Sequence, residues 1–256
     1  MEKAPPNPPA QDPLDQLTAY QGFLHAMEHI TERVPPREFW ADGWGTSYSD
    51  KVKTGSFSPT LKKWEREGKL GPVILDLGSG AKPSTTHLRE NHKFIDVDFG
   101  ARDENTYQDR LRLALDINEI PQMTVSTRQA IMEISRFLEL ERTPPPPPEQ
   151  IDTVICSEII NYIDYKAVLK TIKQYMRPGA RLCILNQPDR CPPAMEKLLH
   201  GTRPFANCEI LEFLEAEGFE IEEVHYPYHD ILEDGEFHQY KDYPERDMIL
   251  ILARLK

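Results

Sequence analysis

The sequence of 256 residues predicts a doubly wound α/β fold, and three observations carry that prediction. From Gly71 onward, short apolar runs alternate with stretches of helical periodicity, the pattern of parallel strands joined by crossover helices on both faces of a sheet. The first run, VILDLGSGAKP at 73–83, ends at an acid and two glycines, as a buried parallel strand does when it turns sharply beneath a ligand. The next, KFIDVD at 93–98, also ends at an acid, where open α/β sheets meet their ligands.

Residues 1–13 are polar and rich in proline, and read as a disordered or extended tail. Between 14 and 70 the chain reads as a helical and aromatic lid. Its first helix carries Leu17, Tyr20, Phe23, Leu24, Met27 and Ile30 on one face and stops at Pro35-Pro36. The loop after it holds Trp40, Trp44, Tyr48 and Phe57, and a second short helix spans Pro59 to Glu67.

The main domain is expected over 71–256. Its strands are VILDL (73–77), KFIDVD (93–98), a short one within 107–116, DTVICS (152–157), RLCILN (181–186), FEIEEVHY (219–226) and DMILILARL (247–255). Helices are expected through His87 and Leu88, from Thr127 to Glu141, from Tyr165 to Met176 and from Asn207 to Glu217, with Pro178-Gly179 as the turn before the fifth strand. Residues 143–150 contain the unbroken run Pro144–Pro148, which favours polyproline II and forms a stiff spacer.

Composition narrows the function classes. With 42 acidic against 30 basic residues the formal net charge is −12, which disfavours a phosphate backbone as main partner. The four cysteines, Cys156, Cys183, Cys191 and Cys208, form no CxxC pair and are too sparse for a disulfide framework, as suits a reducing compartment. MEKAPPNPPAQDP lacks the apolar core of a signal peptide, and no apolar run has the length of a membrane span. The expectation is a cytoplasmic protein with no membrane contact, a monomer or homodimer.

The glycine turn and Asp98 suggest a nucleoside-bearing ligand, because a carboxylate at the end of the second strand can accept from both ribose hydroxyls. A dinucleotide fits less well. Its fingerprint wants GxGxxG, and Pro83 stands where the third glycine belongs.

DLGSGAKP, FIDVD, LDINEIP, IDTVICSEIINYID and MRPGARLCIL, in that order, resemble the successive motifs of class I S-adenosylmethionine-dependent methyltransferases, in particular those acting on small molecules. The resemblance spans about residues 71–190. It implies a Rossmann-like seven-stranded sheet of order 3-2-1-4-5-7-6 with the last strand antiparallel, and S-adenosyl-L-methionine as cofactor, leaving as S-adenosyl-L-homocysteine. By position it implies that Asp76, Gly78, Ser79 and Gly80 line the methionine end and that Asp98 holds the ribose. Val97, Phe99, Asp116 and Ile117 would border the adenine, and Cys156, Ser157 and Glu158 would end the fourth strand beside the cofactor. Lys82 departs from the family's frequent third glycine.

The acceptor is expected at the same rim, under the lid, with Trp44, Tyr48, Tyr162, Asn186, His200 and His229 as candidate contacts. Tyr162 and His229 are the candidate general bases, though an amine acceptor needs none. His225 and His229 have ligand-like spacing, but Pro227 between them opposes a helix, and no metal is expected. The acceptor implied is an oxygen, nitrogen or carbon atom of a small metabolite, as in a natural-product biosynthetic step. A peptide or protein acceptor, or a non-catalytic cofactor-binding partner subunit of the same fold, is the alternative. Nucleic acid ranks lower, since SEII stands where amino-directed base methyltransferases carry NPPY.

Overall fold

The computed structural model describes residues 57–80, 83–88, 91–99, 109–139, 150–160, 163–186, 207–225 and 249–256. The expected tail, the first lid helix and the polyproline spacer lie outside them. Among these residues seven strands form one sheet: β1 Val73–Leu77, β2 Lys93–Asp98, β3 Arg110–Ala114, β4 Ile151–Ser157, β5 Met176–Asn186, β6 Phe219–His225 and β7 Ile249–Leu255. Their order is β3-β2-β1-β4-β5-β7-β6, with β7 antiparallel to both neighbours and the other pairings parallel. That is the order expected from the sequence.

Strand alternation sorts the core into two layers. One face carries Leu75, Leu77, Ile95, Val97, Leu111, Leu113, Val154, Cys156, Leu182, Ile184, Ile249 and Ile251. Against it pack α2 (Val125–Phe137), α3 (Tyr165–Lys173) and α4 (Asn207–Ala216) through residues such as Ala130, Val168, Leu169, Ile210 and Leu214. Two of these helices start on side-chain caps that satisfy amides the helix cannot pair itself. Thr124 accepts from the Thr127 amide before α2, and Asp164 from the Ala167 amide before α3.

The opposite face carries Ile74, Phe94, Ile155, Cys183, Leu185, Leu250 and Leu252, covered by Phe57, Leu61 and Trp64 at α1 (Ser58–Arg66). A proline in its first turn opens α1, where the missing amide costs nothing. Buried His92 ties α1 to the sheet, its Nδ1 donating to the Gly71 carbonyl at 2.9 Å and its Nε2 standing 3.1 Å from Glu65.

Four expectations are corrected. The helix expected through His87 and Leu88 is a 3-10 turn, Ser84–His87, with Leu88 extended. Pro83 at ψ 140° and Leu88 at ψ 163° are extended on either side, so the helical segment is a single turn. Met176 belongs to β5 and not to the preceding helix, pairing with Ile151 before a register shift between Ile151 and Thr153. Pro178-Gly179 is therefore an irregularity within β5, with Gly179 at φ 80°, rather than a turn ahead of it. The expected helix from Thr127 begins at Val125 and ends at Phe137.

Candidate functional site

The chain reverses its direction of travel across the sheet between β1 and β4, and their carboxyl ends frame the crevice where such sheets bind ligands. Gly78 and Gly80 sit there at φ 71° and 67°, in the left-handed region that glycine enters without steric cost. The Gly78 amide donates to the Val97 carbonyl at 2.8 Å, and the Ser79 amide approaches the same oxygen at 3.4 Å. The turn is thus folded over the end of β2.

A Cβ on Gly78 would lie 2.7 Å from the Ile159 Cβ, so Ile159, just beyond β4, already fills that side. The glycine is required by packing across the crevice as well as by its backbone angle.

Asp98 is half-buried at the end of β2, and its Oδ2 accepts from the Gly80 amide at 3.0 Å. Phe99 beside it is half-buried. Asp116 accepts from the Asn118 amide at 2.9 Å, capping the 3-10 helix Ile117–Gln122. Val97, Ile117 and Cys156 belong to the apolar layer beneath α2, α3 and α4. What these three bring to the rim is backbone. Burial, with a smaller contribution from the Asp76 charge, pushes the Cys156 thiol far above its ordinary value, so it packs as an apolar group.

Around β1 and β4 the site is lined with hydroxyls and acids. Asp76 is fully buried and its Oδ2 accepts from the Thr85 hydroxyl at 3.3 Å. Ser79 is also fully buried. The Ser84 and Ser157 hydroxyl oxygens stand 3.0 Å apart, and the Ser58 hydroxyl on α1 donates to the Ser84 carbonyl at 3.2 Å. Glu158 follows in the left-handed region at φ 53°, held by its amide to the Leu185 carbonyl at 2.8 Å. A non-glycine residue in that region stores strain, and such strain concentrates at functional sites. Asn186 ends β5 fully buried, opposite Ile249.

Trp44, Tyr48, Tyr162, His200 and His229 lie outside the described residues. His225 is on β6, its Nε2 2.6 Å from Glu223. Among the described residues no group of three or more His, Cys, Asp or Glu could hold a metal ion.

The sequence reading missed Ser84, Thr85, Asp96, Arg110 and Arg112. Asp96 is fully buried and Arg112 nearly so, on the sheet face opposite α2. The available signal was the alternation Arg110-Leu111-Arg112-Leu113, which demands a polar surface on one side of a strand.

No protein-family model and no curated protein sequence matches the chain. Solved structures do. The 1,6-didemethyltoxoflavin-N1-methyltransferase of Burkholderia thailandensis superposes with a TM-score of 0.52 at 15% identity, over 99% of this chain and 94% of that one. The CurJ carbon methyltransferase gives 0.53 at 14% identity over 96% of this chain, which spans only 62% of that one. The N-methyltransferase NodS of Bradyrhizobium japonicum gives 0.50 at 14% identity over 81% of this chain and 98% of that one. At such identities the likeness is one of architecture: the chain has the fold of the class I S-adenosylmethionine-dependent methyltransferases.

Proposed function

We infer that the chain is an S-adenosylmethionine-dependent methyltransferase acting on a small molecule. The observation that carries the reading is the meeting, at the β1–β4 crevice, of a left-handed glycine turn with a carboxylate at the end of β2. This suits a nucleoside: Asp98 is the acceptor for paired ribose hydroxyls, and the backbone of Gly78 to Gly80 closes on the amino-acid end. The buried hydroxyls of Ser84, Thr85 and Ser157 offer donors and acceptors for ammonium and carboxylate groups.

The cofactor supplies an electrophilic methyl group on a sulfonium. The protein's work is then to align the acceptor and exclude water. Ser157, Glu158 and Asn186 lie at the carboxyl ends of β4 and β5, where the acceptor would sit beside the cofactor. Glu158 can orient an amine or take a proton from an acidic acceptor. Tyr162 and His229 remain the proposed bases for an acceptor that must lose a proton. The neighbours support a small acceptor: one structure holds 1,6-didemethyltoxoflavin with S-adenosylhomocysteine, NodS is an N-methyltransferase, and CurJ is a carbon methyltransferase. The reading covers nitrogen, carbon or oxygen as acceptor atom.

The test is titration calorimetry with S-adenosylhomocysteine, followed by turnover of methyl-labelled S-adenosylmethionine over a panel of small amines, phenols, carbon acids and peptides. Wild type is expected to bind the nucleoside, and Asp98→Asn to bind at least about tenfold more weakly, because a ribose-facing carboxylate makes charge-assisted bonds. Equal affinity of the two would remove Asp98 from the site. Tight binding with no turnover on any acceptor would identify a non-catalytic module.

A further inference from the structure

The glycine turn is held from behind by a buried lattice of charge. Asp76, Asp96 and Arg112 are aligned across β1, β2 and β3. Arg110 enters the same face, its Nη1 donating to both Asp96 oxygens at 2.7 Å and to the Thr85 hydroxyl at 3.2 Å. Its guanidinium also lies over the Phe94 ring, 4.1 Å from the centroid. Arg112 faces the same acid, its Nε 3.7 Å from the Asp96 Oδ2, while its Nη2 donates to the Gly80 carbonyl at 2.5 Å.

Gly80 is therefore clamped at both ends of its own backbone. Its amide is bound by an acid from β2, Asp98, and its carbonyl by a base from β3, Arg112. A glycine at φ 67° crosses cheaply between backbone regions, and each such rotation, turning its carbonyl relative to its amide, would break the bond at one end or the other. The guanidinium is suited to the clamp, being a rigid fork whose separate nitrogens can face a carboxylate and a carbonyl together.

We propose that Arg112 is a positioning residue that fixes the glycine turn in its cofactor-binding conformation, with Asp96 as the anchor that orients it. The proposal rests on the methyltransferase reading for the identity of the ligand, and on the lattice alone for the clamp. A loop already ordered before binding gives up less entropy when the ligand arrives.

Arg112→Met tests this directly, and Arg112→Lys is the folding-safe variant. Lysine keeps a charge beside Asp96 but has a single nitrogen, which cannot serve both partners in the same geometry. Leu252→Ala, in the apolar part of the same face, serves as a matched destabilised control. Two readouts are taken well below every melting temperature. In amide hydrogen exchange without ligand, the peptide spanning Gly78 to Gly80 should exchange at least about tenfold faster in the Arg112 variants than in Leu252→Ala. By calorimetry, S-adenosylhomocysteine should bind both Arg112 variants roughly tenfold or more weakly, with the control near wild type. Control-like loop exchange in Arg112→Lys would overturn the proposal, as would unchanged nucleoside affinity in a variant of a wild type that binds. A wild type without nucleoside affinity would remove the methyltransferase reading instead, and the exchange arm would still decide whether Arg112 clamps the loop.

Discussion

At the scale of single residues, Gly78 is constrained twice, by its backbone angle and by its neighbour. An alanine there would adopt an unfavourable left-handed angle and drive its Cβ to 2.7 Å from Ile159. Gly78→Ala should therefore cost about 2–4 kcal/mol in urea unfolding, the sum of a strained angle and an overpacked contact. Ile159→Gly removes the opposing Cβ together with the Cγ1 and Cδ1 at 2.9 and 3.0 Å and should recover only the steric part, so a double-mutant cycle separates the two. The sequence made the positive φ legible, because a strand that ends in GxG can turn in few other ways. It could not reveal Ile159, which reaches Gly78 only through the pairing of β1 with β4. The charged lattice was hidden for a related reason. Arg112 and Gly80 meet only when β3 docks beside β2, and a single sequence records none of that register.

At the scale of elements, α1 is fastened across the sheet at β6. Glu223 on β6 accepts from the Trp64 indole at 3.1 Å and from Lys63 at 3.1 Å, and it also meets Lys69 and His225. Burial pushes the Glu223 carboxyl up, and the hydrogen bonds from Lys69, His225, Trp64 and Lys63 together outweigh it. The group is held well below its ordinary value of 4.5. A depressed carboxyl stabilises the fold fully above the unfolded value, and that stabilisation is lost as the pH falls toward the folded one. Glu223→Gln should lower stability at pH 7 by about 1–3 kcal/mol. The gap between variant and wild type should then narrow steadily below a pH of about 4.5, in denaturation curves run across that range. A gap that stays constant with pH would assign the loss to packing. The charges of α1 and β6 are plain in the sequence. Their meeting depends on a contact across the width of the sheet that no local pattern encodes.

At the scale of the whole molecule, the regular alternation of apolar runs and crossovers made the α/β class legible, whereas the sheet order was implied by the family that the successive motifs resemble. Strand ends shifted by only a few residues. The chief surprise, β5 starting at Met176, arose because Pro178-Gly179 is ordinarily a stop signal and here sits within an irregular strand. Two-sided burial also leads to a chemical prediction. Cys156 and Cys183 lie on opposite faces of the sheet, both fully buried, and burial pushes both thiols far above their ordinary values. Neither should react with iodoacetamide at pH 8 in the native protein, whereas both should in urea, as peptide mass spectrometry would read. Labelling of either in the native state would mean that the sheet opens locally. The strand order also bears on how the chain is made. β5 and β6 are separated in space by β7, which follows both of them in the chain. Until Ile249–Leu255 arrives, β5 and β6 each lack the partner that later joins them, and the nascent molecule carries two sticky borders at the place β7 will fill. Closure of the sheet thus waits on β7, and until then those two borders are open to aggregation.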